Sequence, residues 1–259
     1  MSTSVRTLFI GIIGGFFGSL VGLGGAVVII PLLTGWARVT QHKAHVTSLV
    51  AVVFTGIVGS LAYARGGAVD LSLALTVAAA ATLSSIVAAT YSERVPAKVL
   101  RRIFGTLVLV AALVLLFGLD LPGDGIHGGA RYVAGVVLGL FSGVLTGLLG
   151  IGGGAFVVPL LVLVFGLDQH LAQGTSLAVM IPAGIAGTLV HWRAKRLDFS
   201  LIWGLVLGVM IGAFAGGQFA LVLPERPLQV VFGIILVWMG LRYVGVKFGP
   251  SAKEQSGQA

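Results

Sequence analysis

Long apolar runs free of charged residues alternate along the chain with short connections that carry nearly all the Lys, Arg, Asp and Glu. The runs occupy 8–37, 44–64, 71–92, 103–119, 132–167, 171–190, 199–224 and 227–241. Most reach the ~20 residues that a helix needs to cross ~30 Å of hydrocarbon. The pattern predicts an all-α integral membrane protein with little chain left for a soluble domain. The first run is copied later in the chain, which argues for a place in the mature fold rather than a cleaved leader.

Composition sharpens this picture. Hydrophobic residues make up 57% of the chain and charged residues only 9%, and the mean hydropathy is +1.08. The chain has no cysteine, which excludes disulfides, thiolate metal sites and thiol catalysis. The net charge of +8 comes from Lys and Arg in the connections. It reads as a set of topology determinants near lipid headgroups, with the bilayer and not nucleic acid as the partner.

Sliding the sequence on itself by 128 positions aligns 10–113 with 138–241 without a gap. GFFGSLVGLGGAVVIIPLL at 15–33 then falls on GVLTGLLGIGGGAFVVPLL at 143–161, and QHKAHVTSL at 41–49 on QHLAQGTSL at 169–177. The chain divides into a first transmembrane repeat over 1–119, a linker over 120–130, a second repeat over 131–249 and a polar, disordered tail over 250–259. Each repeat holds one long glycine-broken segment and three ordinary ones.

The charges select a topology. If every run crosses, Lys and Arg divide almost evenly between the faces. If each broken segment is a re-entrant hairpin, Arg65, Arg131 and Arg226 stand alone on one face, and the other thirteen Lys and Arg share the opposite face. The positive-inside rule prefers the second arrangement, with both termini cytoplasmic. One hairpin plus three crossings is an odd count, so the halves become inverted repeats, as in many secondary transporters. A kinked, tilted crossing of the broken segments is the alternative. In the hairpin reading, two arms meeting near Gly24 each reach the midplane.

Non-helical backbone at membrane depth needs protein or a water-filled cavity around it. The glycines Gly22, Gly24 and Gly25, and Gly150, Gly152, Gly153 and Gly154, therefore mark a cavity. Convergent N–H groups and the positive end of the following helix suit it to an anion. Pro31 and Pro159 are assigned as helix breaks. Thr40 and Asp168 are expected to cap the next helices, and the hydroxyls of Thr47, Ser48, Thr175 and Ser176 to reach toward the tips. Gln41, His42, Gln169, His170, Arg65 and Arg193 are placed at the entrances or gates, with solvated or snorkelling side chains as the plainer reading. Gly11, Gly15 and Gly18 read as close-packing positions.

No Asp or Glu lies deep in a run, which argues against a carboxylate proton relay. The sequence holds no His/Glu metal spacing, no nucleophile with its base and no phosphate loop with its lysine. No enzyme, metal or cofactor is implied.

The glycine triplet Gly152–Gly154, Pro159 and the stretch Gly174-Thr175-Ser176-Leu177 resemble the pattern of the sulfite exporter TauE/SafE family of permeases, also called the 4-toluene sulfonate uptake permease family. The first half departs from it, with Ala26 for the third glycine and Val46 before Thr47. The resemblance covers about 8–245. It implies transport of a small sulfur-containing anion, such as sulfite, a sulfonate or sulfoacetate, across a bacterial inner membrane. The combined expectation is a multi-pass permease working by alternating access past the paired tips. A small-anion channel, or a carboxylate permease on the same fold, is the alternative, and a homo-oligomer is left open.

Overall fold

The computed structural model describes residues 3–91, 97–117, 125–149, 154–193 and 199–245. Among them are ten helices and no strand: α1 (Thr3–Val21), α2 (Ala26–Gly35), α3 (Gln41–Arg65), α4 (Leu71–Tyr91), α5 (Ala97–Phe117), α6 (Gly129–Leu149), α7 (Gly154–Leu163), α8 (Gln169–Arg193), α9 (Phe199–Val222) and α10 (Glu225–Val244). By length and composition, 5 of these are long and apolar enough to cross a membrane. Helices are the expected solution there, because each closes its backbone hydrogen bonds within one segment. The tail over 250–259 and residues 120–124 of the linker lie outside the described residues.

Polar residues set several helix ends. Asp168 starts α8, accepting the Leu171 N–H on Oδ1 at 2.8 Å, as the sequence leads one to expect of a cap. Asp70 does the same for α4 through the Leu73 N–H at 2.9 Å. Thr40 holds the capping position of α3, but its hydroxyl makes no capping bond.

The first broken segment is a helical hairpin. After α1 the chain turns at residues 22–25, and α2 runs back along α1. A Cβ built on Gly18 would lie 2.4 Å from the Gly25 nitrogen, and one on Gly14 would lie 2.2 Å from Ile29. The arms have 19 and 10 residues, roughly 28 and 15 Å at ~1.5 Å per residue. The two arms are therefore unequal in length. The prolines do not break helices either: Pro31 lies inside α2 and Pro159 inside α7. Each removes one internal N–H donor, and the turn of the first hairpin is made by its glycines instead.

The two halves pack as an exchangeable pair. On α3 and α8, Leu49 neighbours Gly187, Val53 neighbours Gly184, Gly56 neighbours Ile181, Gly59 neighbours Leu177 and Tyr63 neighbours Gly174. Numbers rise on one helix as they fall on the other, so α3 and α8 are antiparallel. Shifting each partner by the repeat offset turns Gly59–Leu177 into Gly187–Leu49, and Gly56–Ile181 into Gly184–Val53. The outer seams follow the same exchange: Gly11–Leu205 and Gly15–Val209 between α1 and α9 become Gly139–Val77 and Gly143–Ala81 between α6 and α4. A pseudo-twofold axis thus passes between the middles of α3 and α8. The seams themselves are parallel pairs brought close by glycine, as small residues allow in membranes.

Candidate functional site

The turn of the first hairpin is buried between α3 and α8. Gly22, Gly24 and Gly25 have φ of 72, 73 and 82°, a region open to glycine and strained for residues with a Cβ. The Gly22 N–H donates to the Ser19 carbonyl at 3.2 Å, and those of Leu23 and Gly24 donate to the Gly18 carbonyl at 2.9 and 3.2 Å. These amides close the turn onto α1. The Gly25 carbonyl accepts from Val28 and Ile29 at 3.0 and 2.9 Å. The N–H groups left without an acceptor inside the helix are those at the very start of α2, at Ala26 and Val27.

Neighbours from three other elements surround this turn. A Cβ on Gly22 would lie 2.9 Å from Cα and Cβ of Gln173, and one on Gly24 would lie 2.8 Å from Sδ of Met180 and 3.2 Å from Val52. The turn therefore stretches from the level of Gln173, one helical turn into α8, to the middle of α3 and α8. A Cβ on Gly154, which opens α7, would lie 2.9 Å from the Gly22 carbonyl oxygen and 3.2 Å from Leu23 Cα. The two broken segments thus meet, with the buried Met180 beside both. Gly150, Gly152 and Gly153 lie outside the described residues.

The four hydroxyls separate. Ser176 reaches the turn and donates to the Gly22 carbonyl at 3.1 Å. Thr175 instead accepts the Asp70 N–H at 3.0 Å, tying α8 to the loop before α4. Ser48 donates back to the His45 carbonyl at 2.7 Å, the local bond common for such residues in helices. Thr47 is buried on α3.

Two further side chains complete the polar surroundings of the turn. Tyr63 is fully buried, and its hydroxyl donates to Oε1 of Gln173 at 2.8 Å, with the Ser19 carbonyl 3.2 Å away. Nε2 of Gln173 and Oγ of Ser19 are buried without a partner. An unpartnered buried donor costs about 1–3 kcal/mol, so these groups are anomalies that packing alone does not explain. Sequence reasoning missed Gln173, Tyr63 and Met180. For Gln173 a signal existed, its place one turn after Gln169 and next to the quoted GTSL. For Met180 there was none.

The entrance candidates are anchored differently from expectation. Gln169 is fully buried, and neither amide atom of its side chain has a partner. Its backbone N–H donates to Oε1 of Glu225 at 3.0 Å. His170 does not stand in solvent: its Nε2 lies 3.0 and 3.1 Å from the carbonyls of Ala220 and Leu223. Carbonyls only accept, so Nε2 carries the proton and closes the end of α9. The Arg65 guanidinium lies 5.5 Å from the centre of the Phe214 ring, a cation–π arrangement. Arg193 is exposed at the end of α8. The side chains of Gln41 and His42 lie outside the described residues. Among the described residues no three His, Asp or Glu side chains come together to hold a metal.

The two arginines that the hairpin reading groups with Arg65 are also held. Arg131 pairs with Asp70, and Arg226 donates to the Leu115 and Leu116 carbonyls at 3.4 and 3.1 Å, closing the end of α5. Burial alone would raise the Asp70 carboxyl. The bonds from the Leu73 N–H and the Ser72 hydroxyl and the Arg131 charge outweigh it and hold the carboxyl below its ordinary value.

A bundle of apolar helices with broken segments meeting at its centre is the architecture of a multi-pass membrane transporter. A family profile described as Sulfite exporter TauE/SafE matches residues 7–250, and the chain belongs to that family. It is 29% identical over 224 residues to the probable membrane transporter protein YdhB of Bacillus subtilis, covering 85% of this chain and 90% of that protein. It is 27% identical over 264 residues to the probable membrane transporter protein YunE of the same organism, covering 93% and 97%. A shorter stretch of 103 residues is 31% identical to the sulfite exporter TauE/SafE family protein 5 of Arabidopsis thaliana, covering 38% of this chain and 23% of that protein. No solved structure matches the chain.

Proposed function

We propose that this transporter carries a small anion, a sulfur oxyanion or organosulfonate, across the cell inner membrane by alternating access at the meeting point of its two broken segments. The carrying observation is the buried glycine turn at 22–25, pressed between α3 and α8 and touching Gly154 of the second segment. The start of α2 there presents N–H groups without helical acceptors and the positive end of a helix dipole, which favour negative charge. The sulfur assignment rests on the family and on the name of the Arabidopsis relative, whereas the Bacillus names say only membrane transporter.

In this reading the halves are inverted repeats. Antiparallel α3 and α8, both crossing the bilayer, would put their twofold axis in the membrane plane. The broken segments are then re-entrant, α2 and α7 returning to the side from which α1 and α6 enter, with both termini cytoplasmic. Cysteines introduced at Lys43 and Asp168 test this: a membrane-impermeant reagent applied outside should label position 168 and spare position 43.

The anion site is tested by the melting temperature of the purified protein against sulfite, thiosulfate, taurine, sulfoacetate, lactate and phosphate. A ligand that binds only the folded state stabilises it by mass action. A saturable rise with a sulfur oxyanion, absent in a folded Gly24→Val protein, is the expected result. A rise with carboxylates alone would remove the sulfur assignment.

A further inference from the structure

Gln173 stands out among the buried groups that packing does not account for. Its Oε1 is held by the Tyr63 hydroxyl at 2.8 Å, while its Nε2 is buried without a partner. A carboxamide fixed by its oxygen presents both N–H groups on its other edge. The side chain lies along Gly22, and Ser176, on the next turn of α8, binds the Gly22 carbonyl. One turn earlier stands Gln169, its amide also buried and unpartnered. The tip is thus faced by the Gln173 amide and the Ser176 hydroxyl of α8.

The charge of this environment is as informative as its donors. Every buried polar side chain among the described residues is a Ser, Thr, Gln or Tyr, and none of them is a carboxylate, ammonium, guanidinium or imidazole. Moving an ion out of water costs free energy that grows with the square of its charge. Its attraction to neutral dipoles grows only in proportion to the charge. A site of neutral donors therefore accepts one negative charge far more readily than two.

We propose that the Gln173 carboxamide, oriented by Tyr63 against the first glycine turn, is the substrate-selecting donor, and that the site it builds takes singly charged oxyanions in preference to doubly charged ones. The proposal rests on the reading of the turn as the anion site. Gln173 touches substrate; Tyr63 is a positioning residue.

The test is equilibrium binding to the purified full-length protein of methanesulfonate, a monoanion, sulfate, a dianion, and sulfite on both sides of its second ionisation. Methanesulfonate should bind at least about tenfold more tightly than sulfate, with no dependence on pH across the sulfite ionisation, and sulfite binding should weaken as the pH rises and hydrogensulfite is lost. Gln173→Leu should weaken methanesulfonate binding by about tenfold or more, as loss of a hydrogen bond to a charged group does. Tyr63→Phe should weaken it less, and the double variant should bind no worse than Gln173→Leu alone, which a merely structural role of Tyr63 would not produce.

Sulfate binding as tightly as methanesulfonate, or a folded Gln173→Leu protein with unchanged affinity, overturns the proposal. The comparison of the two anions on the unaltered protein decides the charge preference even if Gln173→Leu fails to fold. If Gly24→Val abolishes anion binding while Gln173→Leu leaves it intact, the anion site stands and the role of Gln173 falls. If none of the anions binds the unaltered protein, the anion site itself falls.

Discussion

Glycine serves the turn at 22–25 and the seam between α1 and α9 in opposite ways. At the turn the glycines have positive φ, and the space around them is shared with side chains of α3 and α8. Along α9, Gly204, Gly208, Gly212 and Gly216 are ordinary helical residues whose value is the missing Cβ. At Gly208, Gly212 and Gly216 a Cβ would lie 2.1–2.2 Å from a backbone carbonyl oxygen of α1. The first use sets a backbone conformation and the second sets an interhelical distance, so the same residue type marks a site in one place and a packing surface in the other.

Substitutions can separate the two uses, beginning with the largest effect. Gly24→Val should reduce transport to background while the protein remains inserted and folded, because a β-branched side chain resists positive φ and meets Met180. The corresponding position of the second copy, Gly152, and its neighbour Gly153 should respond to valine in the same way. Gly208→Val should instead lower the melting temperature, with overpacking costing about 1–3 kcal/mol or more, and whatever protein stays folded should still bind substrate. If Gly208→Val abolished binding in a protein of unchanged stability, the division between the two uses would be wrong.

Smaller effects define the edges of the comparison. Asp70→Asn should cost about 1 kcal/mol through the weakened cap of α4 and the lost pair with Arg131. Because the folded Asp70 carboxyl is held below its ordinary value, its contribution is present at neutral pH and is lost as the pH falls through the folded value. Unfolding in acid, compared between the unaltered and Asp70→Asn proteins, checks the sign: their difference in stability should shrink as the pH drops. Gly187→Ala should be the mildest change, since a Cβ there meets only Leu49 at 3.5–3.7 Å. A gain of about 0.5–1 kcal/mol is expected from replacing a helical glycine with alanine.

Much of this architecture could be read from the chain. The apolar runs give the helices, the ungapped offset gives the repeat, and the glycine clusters give the place where the helices stop. What escaped depends on three dimensions. Unequal hairpin arms cannot be inferred from a continuous apolar run. The N–H groups of Gly22, Leu23 and Gly24 look available in sequence, yet the turn needs them for its own closure. Thr175 and Ser176 are adjacent in the motif but about 100° apart around a helix, so only Ser176 can face the turn. Gln173 and Tyr63 are distant in sequence and meet only because α3 and α8 run antiparallel. Arg65, Arg131 and Arg226, which the charge count groups together, have a ring, a carboxylate and helix-end carbonyls respectively to hold them, none of which could be read from the count.

The exchange of the halves about the axis between α3 and α8 has an energetic corollary. In a carrier that opens alternately to two sides by swapping the conformations of matching halves, identical halves would make the two openings mirror states of equal free energy. This chain departs from identity close to that axis and at its ends: Pro182 occupies the position matching Phe54, Gln173 that matching His45, and Tyr63 that matching His191. In such a carrier a mismatch at these positions would favour one opening over the other, and a difference of about 1.4 kcal/mol would skew their populations tenfold. Under the alternating access proposed above, the side on which the empty protein waits for its cargo would then be written in the residues at which the two copies disagree.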